Sequence, residues 1–222
     1  MRLRKVKNAL EKIQQYPNIV IQDSVSHKGK WNELFKKNHP IYLEIGMGKG
    51  KFIIENAKRN PDINYIGLEL QESVLVRALE KLIEEPLDNL VLLHEDAFEL
   101  NNIFEDGEIS KIFLTFSDPW PKSRHAKRRL TCNNILNIYR KALKEDGTLE
   151  FKTDNRKLFE YSILEFIRNG LEFNDLSLNL HEDKEDIITT EYEDKFTAKG
   201  NVIYFVEVKN NGKKLWFIQT IT

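Results

Sequence analysis

The sequence predicts an α/β fold, a mostly parallel, doubly wound sheet with an antiparallel edge at its C-terminal end. Three observations predict it. Short apolar runs alternate with amphipathic helical segments between residues 41 and 170, which is the pattern of a parallel sheet wound with helices. The first apolar run leads directly into a glycine-rich turn, and from residue 172 onward strand-like runs follow one another without helices, the mark of an antiparallel edge.

Taken in order, Met1 to Pro40 is basic and weakly patterned, with Val6, Leu10 and Ile13 at helical spacing and a short helix expected over Trp31 to Phe35. Ile41 to Ile45 reads as the first strand, followed by Gly46-Met47-Gly48-Lys49-Gly50 and a helix that includes Phe52, Ile53 and Ala57. Ile63 to Leu68 is the second strand. Gln71 to Glu84 is a helix, because Val74, Leu75, Ala78, Leu79 and Leu82 fall on one face of a 3.6-residue period. Asn89 to Leu93 and Ile112 to Phe116 are short apolar strands. Asn133 to Leu143 is a helix closed by a turn at Asp146-Gly147, Thr148 to Lys152 a strand, and Arg156 to Arg168 a helix closed by Gly170. Glu172 to Leu180, Val202 to Val208 and Lys213 to Thr220 complete the set, the last two joined by a hairpin around Asn210-Asn211-Gly212.

A chain of 222 residues with 41% hydrophobic content can bury a substantial core in one domain. The net charge of -1 conceals segregation: residues 122–129 hold five permanent positive charges and no acid, while residues 181–194 hold seven acids against one Lys. A nucleic-acid partner is therefore compatible with the balanced total. The single Cys132 cannot form an internal disulfide, and no Cys/His cluster has zinc spacing, so a cytoplasmic protein without a structural metal is expected. Nor does any run approach the roughly 20 apolar residues of a membrane span.

The stretch from Ile112 to Leu130 concentrates the chemistry. Its strand ends at Asp118-Pro119-Trp120-Pro121, where each Pro fixes its own φ and biases the preceding residue toward extended backbone. Asp118 and Trp120 are thus expected on a stiff loop at the carboxyl edge of the sheet, where ligands of open α/β sheets bind. Trp120 either stacks on a base or packs beneath the loop. Lys122, Arg124, His125, Lys127, Arg128 and Arg129 follow at once, a footprint for phosphate.

The glycine turn is the cofactor candidate. Its G-x-G-x-G spacing lacks the G-x-x-G step that seats a pyrophosphate on a helix N-terminus. Glu44 in the same turn repels phosphate and attracts a cation. Glu69, 19 residues beyond Gly50, stands where an acid bonds ribose hydroxyls. Asp96 follows the third strand, either to reach an adenine amino group or to cap a helix. A ribose, an adenine, a cationic end and no phosphate describe S-adenosylmethionine, with Gly46 and Gly48 letting it lie against the backbone.

Glu44-Ile45-Gly46-x-Gly48-x-Gly50, the long motif Phe116-x-Asp118-Pro119-Trp120-Pro121-Lys122-x-Arg124-His125-x-Lys127-Arg128-Arg129, Thr153-Asp154-Asn155 and Thr190-x-Tyr192-Glu193 occur in this order along the chain. Together they resemble the bacterial tRNA (guanine-N7-)-methyltransferases. The resemblance implies a class I, Rossmann-like S-adenosylmethionine-dependent methyltransferase domain over residues 41–222, preceded by a basic arm and lead-in helices over 1–40. It implies methyl transfer to a guanine N7 in the variable loop of tRNA, the alternative being a non-catalytic RNA-binding protein that keeps the fold. Carried over by motif, Glu44, Glu69, Asp96 and Asp118 become cofactor-site acids and Asp118 also the catalytic residue. Lys122, Asp154 and the segment Thr190, Glu191, Tyr192, Glu193 become substrate contacts, and Arg124, His125, Lys127, Arg128 and Arg129 the RNA surface. From the residues alone, Asp154 in Thr153-Asp154-Asn155 and the pair Thr190 and Glu193 read equally as helix caps. Thr115 departs from the family pattern, in which Asn is common before the Phe, but a hydroxyl still donates and accepts.

Overall fold

A computed structural model gives the structure of residues 5–212. In chain order the elements are α1 (Ala9–Gln14), β1 (Val20–Ile21), α2 (Trp31–Phe35), β2 (Ile41–Ile45), α3 (Lys51–Arg59), β3 (Asn64–Leu68), α4 (Glu72–Glu84), β4 (Leu90–Leu93), α5 (Leu100–Ile103), β5 (Ile109–Thr115), α6 (Asn133–Ala142), β6 (Leu143–Thr153), α7 (Arg156–Arg168), β7 (Glu172–Ser177), α8 (Leu180–Asp183), α9 (Glu191–Thr197) and β8 (Tyr204–Lys209). The described strands form one sheet in the order β1-β4-β3-β2-β5-β6-β8-β7. Pairings from β1 through β6 are parallel, whereas β8 runs antiparallel to both β6 and β7.

The inner strands are buried on both faces, which is why their sequences are continuous apolar runs rather than alternating ones. One face is covered by α2, α5, α6 and α7 through Trp31, Phe104, Leu136, Tyr139 and Phe166. The other is covered by α1, α3 and α4 through Ile13, Phe52, Ile53, Leu75 and Leu79. Truncating any one of these fully buried side chains to Ala removes about 2–5 kcal/mol of stability. Helix α7 starts at Arg156 because the Asn155 side chain accepts from the Leu158 N–H at 2.9 Å, the ordinary N-cap bond.

Three strands differ from the sequence expectation. Strand β1 was not anticipated: two residues are too short to show a period, yet Val20 and Ile21 pair with Leu92 and Leu93. Strand β6 begins at Leu143 rather than Thr148, since the Asp146 N–H donates to Asn210 O and the Asn210 N–H to Gly147 O, both at 2.8 Å, drawing the turn into the sheet. Strand β7 stops at Ser177, whose hydroxyl accepts from the Asn179 N–H at 3.1 Å and turns the chain into α8. The expected strand Lys213 to Thr220, with its half of the hairpin, lies outside the described residues.

Strand β2 lies between β3 and β5, so the winding reverses beside it. That reversal opens a crevice above the carboxyl ends of these strands. Both sequence motifs end there.

Candidate active site

The glycine turn folds back onto β3, with Gly46 N–H and Met47 N–H donating to Leu68 O at 2.8 and 3.1 Å. Gly46 and Gly48 have φ of 73° and 61°, and a Cβ built on either meets nothing within 4 Å. The turn therefore presents bare backbone to open space, and the left-handed conformation, not crowding by protein, requires glycine there. Glu69 anchors the turn from below, its Oε2 accepting from Gly48 N–H at 3.1 Å and its Oε1 from Gln71 N–H at 2.9 Å. Burial pushes the Glu69 carboxyl above its ordinary value, against these backbone bonds.

A cavity of about 590 Å³ runs from the turn along the strand ends, and Gly46, Glu69, Asp96, Asp118, Lys127 and Arg128 all line it. Asp96 takes the capping geometry, accepting from Phe98 N–H at 3.0 Å, while its carboxylate stays on the cavity wall. Bare turn backbone and the carboxylates of Glu69 and Asp96 along one wall suit a nucleoside bearing a cation.

Glu44 lies deeper than its motif suggests. It is fully buried, with Thr115 Oγ1 donating to its Oε1 at 2.7 Å and its Oε2 without a hydrogen-bond partner among the described residues. Desolvation raises the carboxyl to a pKa of about 8. An unpartnered buried acceptor normally costs stability, so this oxygen is one half of an incomplete interaction. Thr115, the departure from the family pattern, supplies the one hydrogen bond that the Glu44 carboxyl makes among the described residues.

The Asp118 loop is strained. Phe116 and Trp120, neither of them glycine, have φ of 54° and 40°, a cost of order 1–3 kcal/mol each that persists where the surroundings enforce it. Asp118 is exposed on the cavity wall. The basic segment forms a 3₁₀ turn, Ser123–Arg128, in which Lys122, Arg124, Lys127 and Arg128 are exposed and His125 is half-buried. Trp120 packs within the loop: the Arg128 guanidinium lies 5.0 Å from its ring centre and the His125 ring meets it edge-on at 5.8 Å. Arg129 instead turns inward, with Nε and Nη2 donating to Pro119 O and Trp120 O.

A third group closes the crevice from the α9 side. The Tyr192 hydroxyl donates to Asp154 Oδ2 at 3.3 Å and Asn201 Nδ2 to the same oxygen at 3.1 Å. The Tyr192 ring stands 5.1 Å from Phe116 and 4.1 Å from Phe196. Thr190 and Glu193 form a complete capping box: Thr190 Oγ1 accepts from Glu193 N–H at 2.9 Å, and Glu193 Oε2 from Thr190 N–H at 3.3 Å. Glu193 is fully buried, facing His181 Nε2 at 2.9 Å and Lys152 Nζ at 3.7 Å. The capping reading of the sequence is thus realised for this pair, while Asp154 and Tyr192 bond to each other.

Two lysines tie α9 to the glycine turn, and a third ties it to β6. Lys81 Nζ donates to Lys49 O at 2.8 Å and pairs with Glu191 at 2.6 Å, Lys51 pairs with Asp194, and Lys152 donates to Ile188 O at 3.0 Å beside Glu193. Sequence inspection did not single out these lysines. Lys152 follows Thr148 and Glu150 at the polar positions of an alternating strand, so nothing local marks it as a buried cation with an acid partner. Lys51 and Lys81 look like ordinary surface residues in sequence.

The doubly wound sheet and the glycine turn with acids after successive strands are those of the class I methyltransferase fold. Solved structures agree: that of the 16S rRNA methyltransferase KamB superposes with a TM-score of 0.64 at 13% identity, covering 82% of this chain and 92% of that one. An antibiotic-related methyltransferase superposes with a TM-score of 0.60 at 21% identity over the same shares. Residues 38–206 match the family described as "Putative methyltransferase". The tRNA (guanine-N(7)-)-methyltransferase of Geobacillus sp. (strain WCH70) is 57% identical over 94% of this chain and 96% of its own length. The protein of that name from Streptococcus pneumoniae (strain 70585) is 48% identical over 94% of this chain and 100% of its own length. The chain belongs to the tRNA (guanine-N7-)-methyltransferase family. Among the described residues no helix is long and apolar enough to cross a membrane, and no group of three or more His, Cys, Asp or Glu is placed to hold a metal ion.

Proposed function

We propose that this chain transfers a methyl group from S-adenosylmethionine to N7 of a guanine in the variable loop of tRNA, in the cytoplasm. The observation that carries the reading is the juxtaposition of Asp118, on its strained loop at the cavity wall, with the exposed cations Lys122, Arg124, Lys127 and Arg128. A carboxylate at a nucleoside-sized cavity is thereby placed beside a surface for a polyanion.

Glu69 holds the ribose, Asp96 reaches the adenine, the Gly46 and Gly48 backbone accommodates the methionine end, and Glu44 draws its ammonium. The bound cofactor supplies an electrophilic methyl group on a sulfonium. Guanine N7 has an in-plane lone pair and no proton, so no side chain has to act as a general base. What the chain must provide is position and a negative charge where the purine becomes cationic. Asp118 provides that charge. Asp154, held by Tyr192 and Asn201, accepts from the guanine edge, and Lys122 holds the adjoining phosphate. Glu191, Thr190 and Glu193 keep Tyr192 facing the base.

The cationic surface is tested by salt titration of tRNA binding. Replacing Arg124 and Arg128 by Ala is expected to reduce the slope of log Kd against log salt by about 1.5, at roughly 0.7–0.9 for each phosphate that is no longer neutralised. Affinity for S-adenosylhomocysteine should stay within a few-fold of wild type. A salt slope equal to wild type would place the tRNA elsewhere on the molecule.

A further inference from the structure

We propose that Arg129, although it belongs to the basic run, is a positioning residue for methyl transfer: it clamps the loop that carries Asp118 and does not contact RNA. The proposal rests on the role given to Asp118 above. Four cations of the run, Lys122, Arg124, Lys127 and Arg128, are exposed, whereas Arg129 is half-buried. Its Nε donates to Pro119 O at 3.0 Å and its Nη2 to Trp120 O at 3.1 Å. The guanidinium carbon sits 4.2 Å from the centre of the Tyr161 ring, well inside cation–π range.

The loop needs such a clamp. Pro119 and Pro121 have no N–H, so the segment has fewer backbone donors with which to close itself. It also carries two left-handed non-glycine residues, Phe116 and Trp120, a conformation that reverts unless held from outside. Arg129 reaches two successive carbonyls immediately after Asp118 with one planar fork. A lysine ammonium, a compact point charge on a flexible stem, has neither that fork nor that stacking surface. Tyr161 lies on α7, the helix that follows Asp154, and the buried pair Thr131 Oγ1 and Ser162 Oγ at 2.7 Å fastens the same junction. Arg129 therefore ties the Asp118 loop to the helix whose start fixes Asp154. Both acids assigned to the guanine are registered to each other through it.

The two roles for Arg129 separate in R129K. A phosphate interaction survives that change, because the charge is kept, but a two-carbonyl clamp does not. Single-turnover methyl transfer at saturating tRNA and cofactor is expected to fall about tenfold to a hundredfold, the cost of a loop misplaced by an ångström or so. The salt slope of tRNA binding and the affinity for S-adenosylhomocysteine should remain those of wild type. In R129A, millimolar guanidinium ion should restore part of the transfer rate. If R129A does not fold, R129K carries the test alone.

Wild-type transfer by R129K, or an R129K rate loss accompanied by a reduced salt slope, would overturn the clamp. D118N measured alongside separates the two claims. A slow D118N with a fast R129K removes only the clamp, and a fast D118N removes the role of Asp118 itself.

Discussion

Asp118→Asn is expected to lower the single-turnover rate of methyl transfer about a hundredfold to a thousandfold, the usual effect of deleting one preorganised group that faces developing charge. Asn keeps the size of Asp and removes its negative charge, exchanging one acceptor oxygen for an NH2 donor. Because N7 attack requires no proton to be removed, the loss reflects the missing charge and not a missing general base. The loop is shaped by Pro119 and Pro121 and held by the Arg129 hydrogen bonds, not by the Asp118 side chain, so the variant should fold normally and bind tRNA and S-adenosylhomocysteine within a few-fold of wild type. Near wild-type turnover would mean that positioning alone accounts for the reaction and that Asp118 is only a wall of the cavity.

The second large effect is expected at Glu44. Its carboxyl titrates at about 8 in the fold, against an ordinary value of 4.5, because burial disfavours the charged form. The folded protein thus keeps a proton that the unfolded chain has already released. Glu44's contribution is fully present below pH 4.5 and is lost as pH rises through 8, at a limiting rate of about 1.4 kcal/mol per pH unit. Glu44→Gln cannot ionise and still accepts from Thr115, so its melting temperature should stay level between pH 6 and 9 while that of the wild type declines.

The same substitution tests the cofactor role. An ammonium beside the unpartnered Oε2 favours the ionised form, so wild-type cofactor binding should tighten from pH 6 to 8 with release of a proton. In Glu44→Gln, binding should be weaker by about tenfold or more, at 1.4 kcal/mol per decade, and independent of pH in this range. Calorimetry in buffers of different ionisation enthalpy reads the proton directly. Equal binding by the two proteins would detach Glu44 from the cofactor.

Much of the fold was legible because parallel strands buried on both faces leave continuous apolar runs, and because α4 and α7 carry clear helical periods. Glycine and proline punctuation located both loops of the site. Burial was less legible. Glu44 reads as a turn residue and is a fully enclosed carboxyl, since a sequence does not show that Thr115 on the neighbouring strand points at it. Thr190-x-x-Glu193 reads both as a cap and as a substrate segment, and the structure supplies the cap geometry together with Lys152 and His181 from distant positions. The basic run shows the same limit: five charges adjacent in sequence divide into four that face solvent and Arg129, which faces the backbone of its own loop. Strand β1 and the extension of β6 depend on pairing across long sequence separations, and local pattern carries no trace of either.

The central claim is tested most directly with labelled S-adenosylmethionine and two unmodified tRNA transcripts, one with guanine in the variable loop and one with that guanine changed to adenine. Label is expected on the first transcript alone, and chemical cleavage at the modified base should map it to N7. Equal labelling of both transcripts would contradict the target, and tRNA binding with no labelling of either would contradict the reaction.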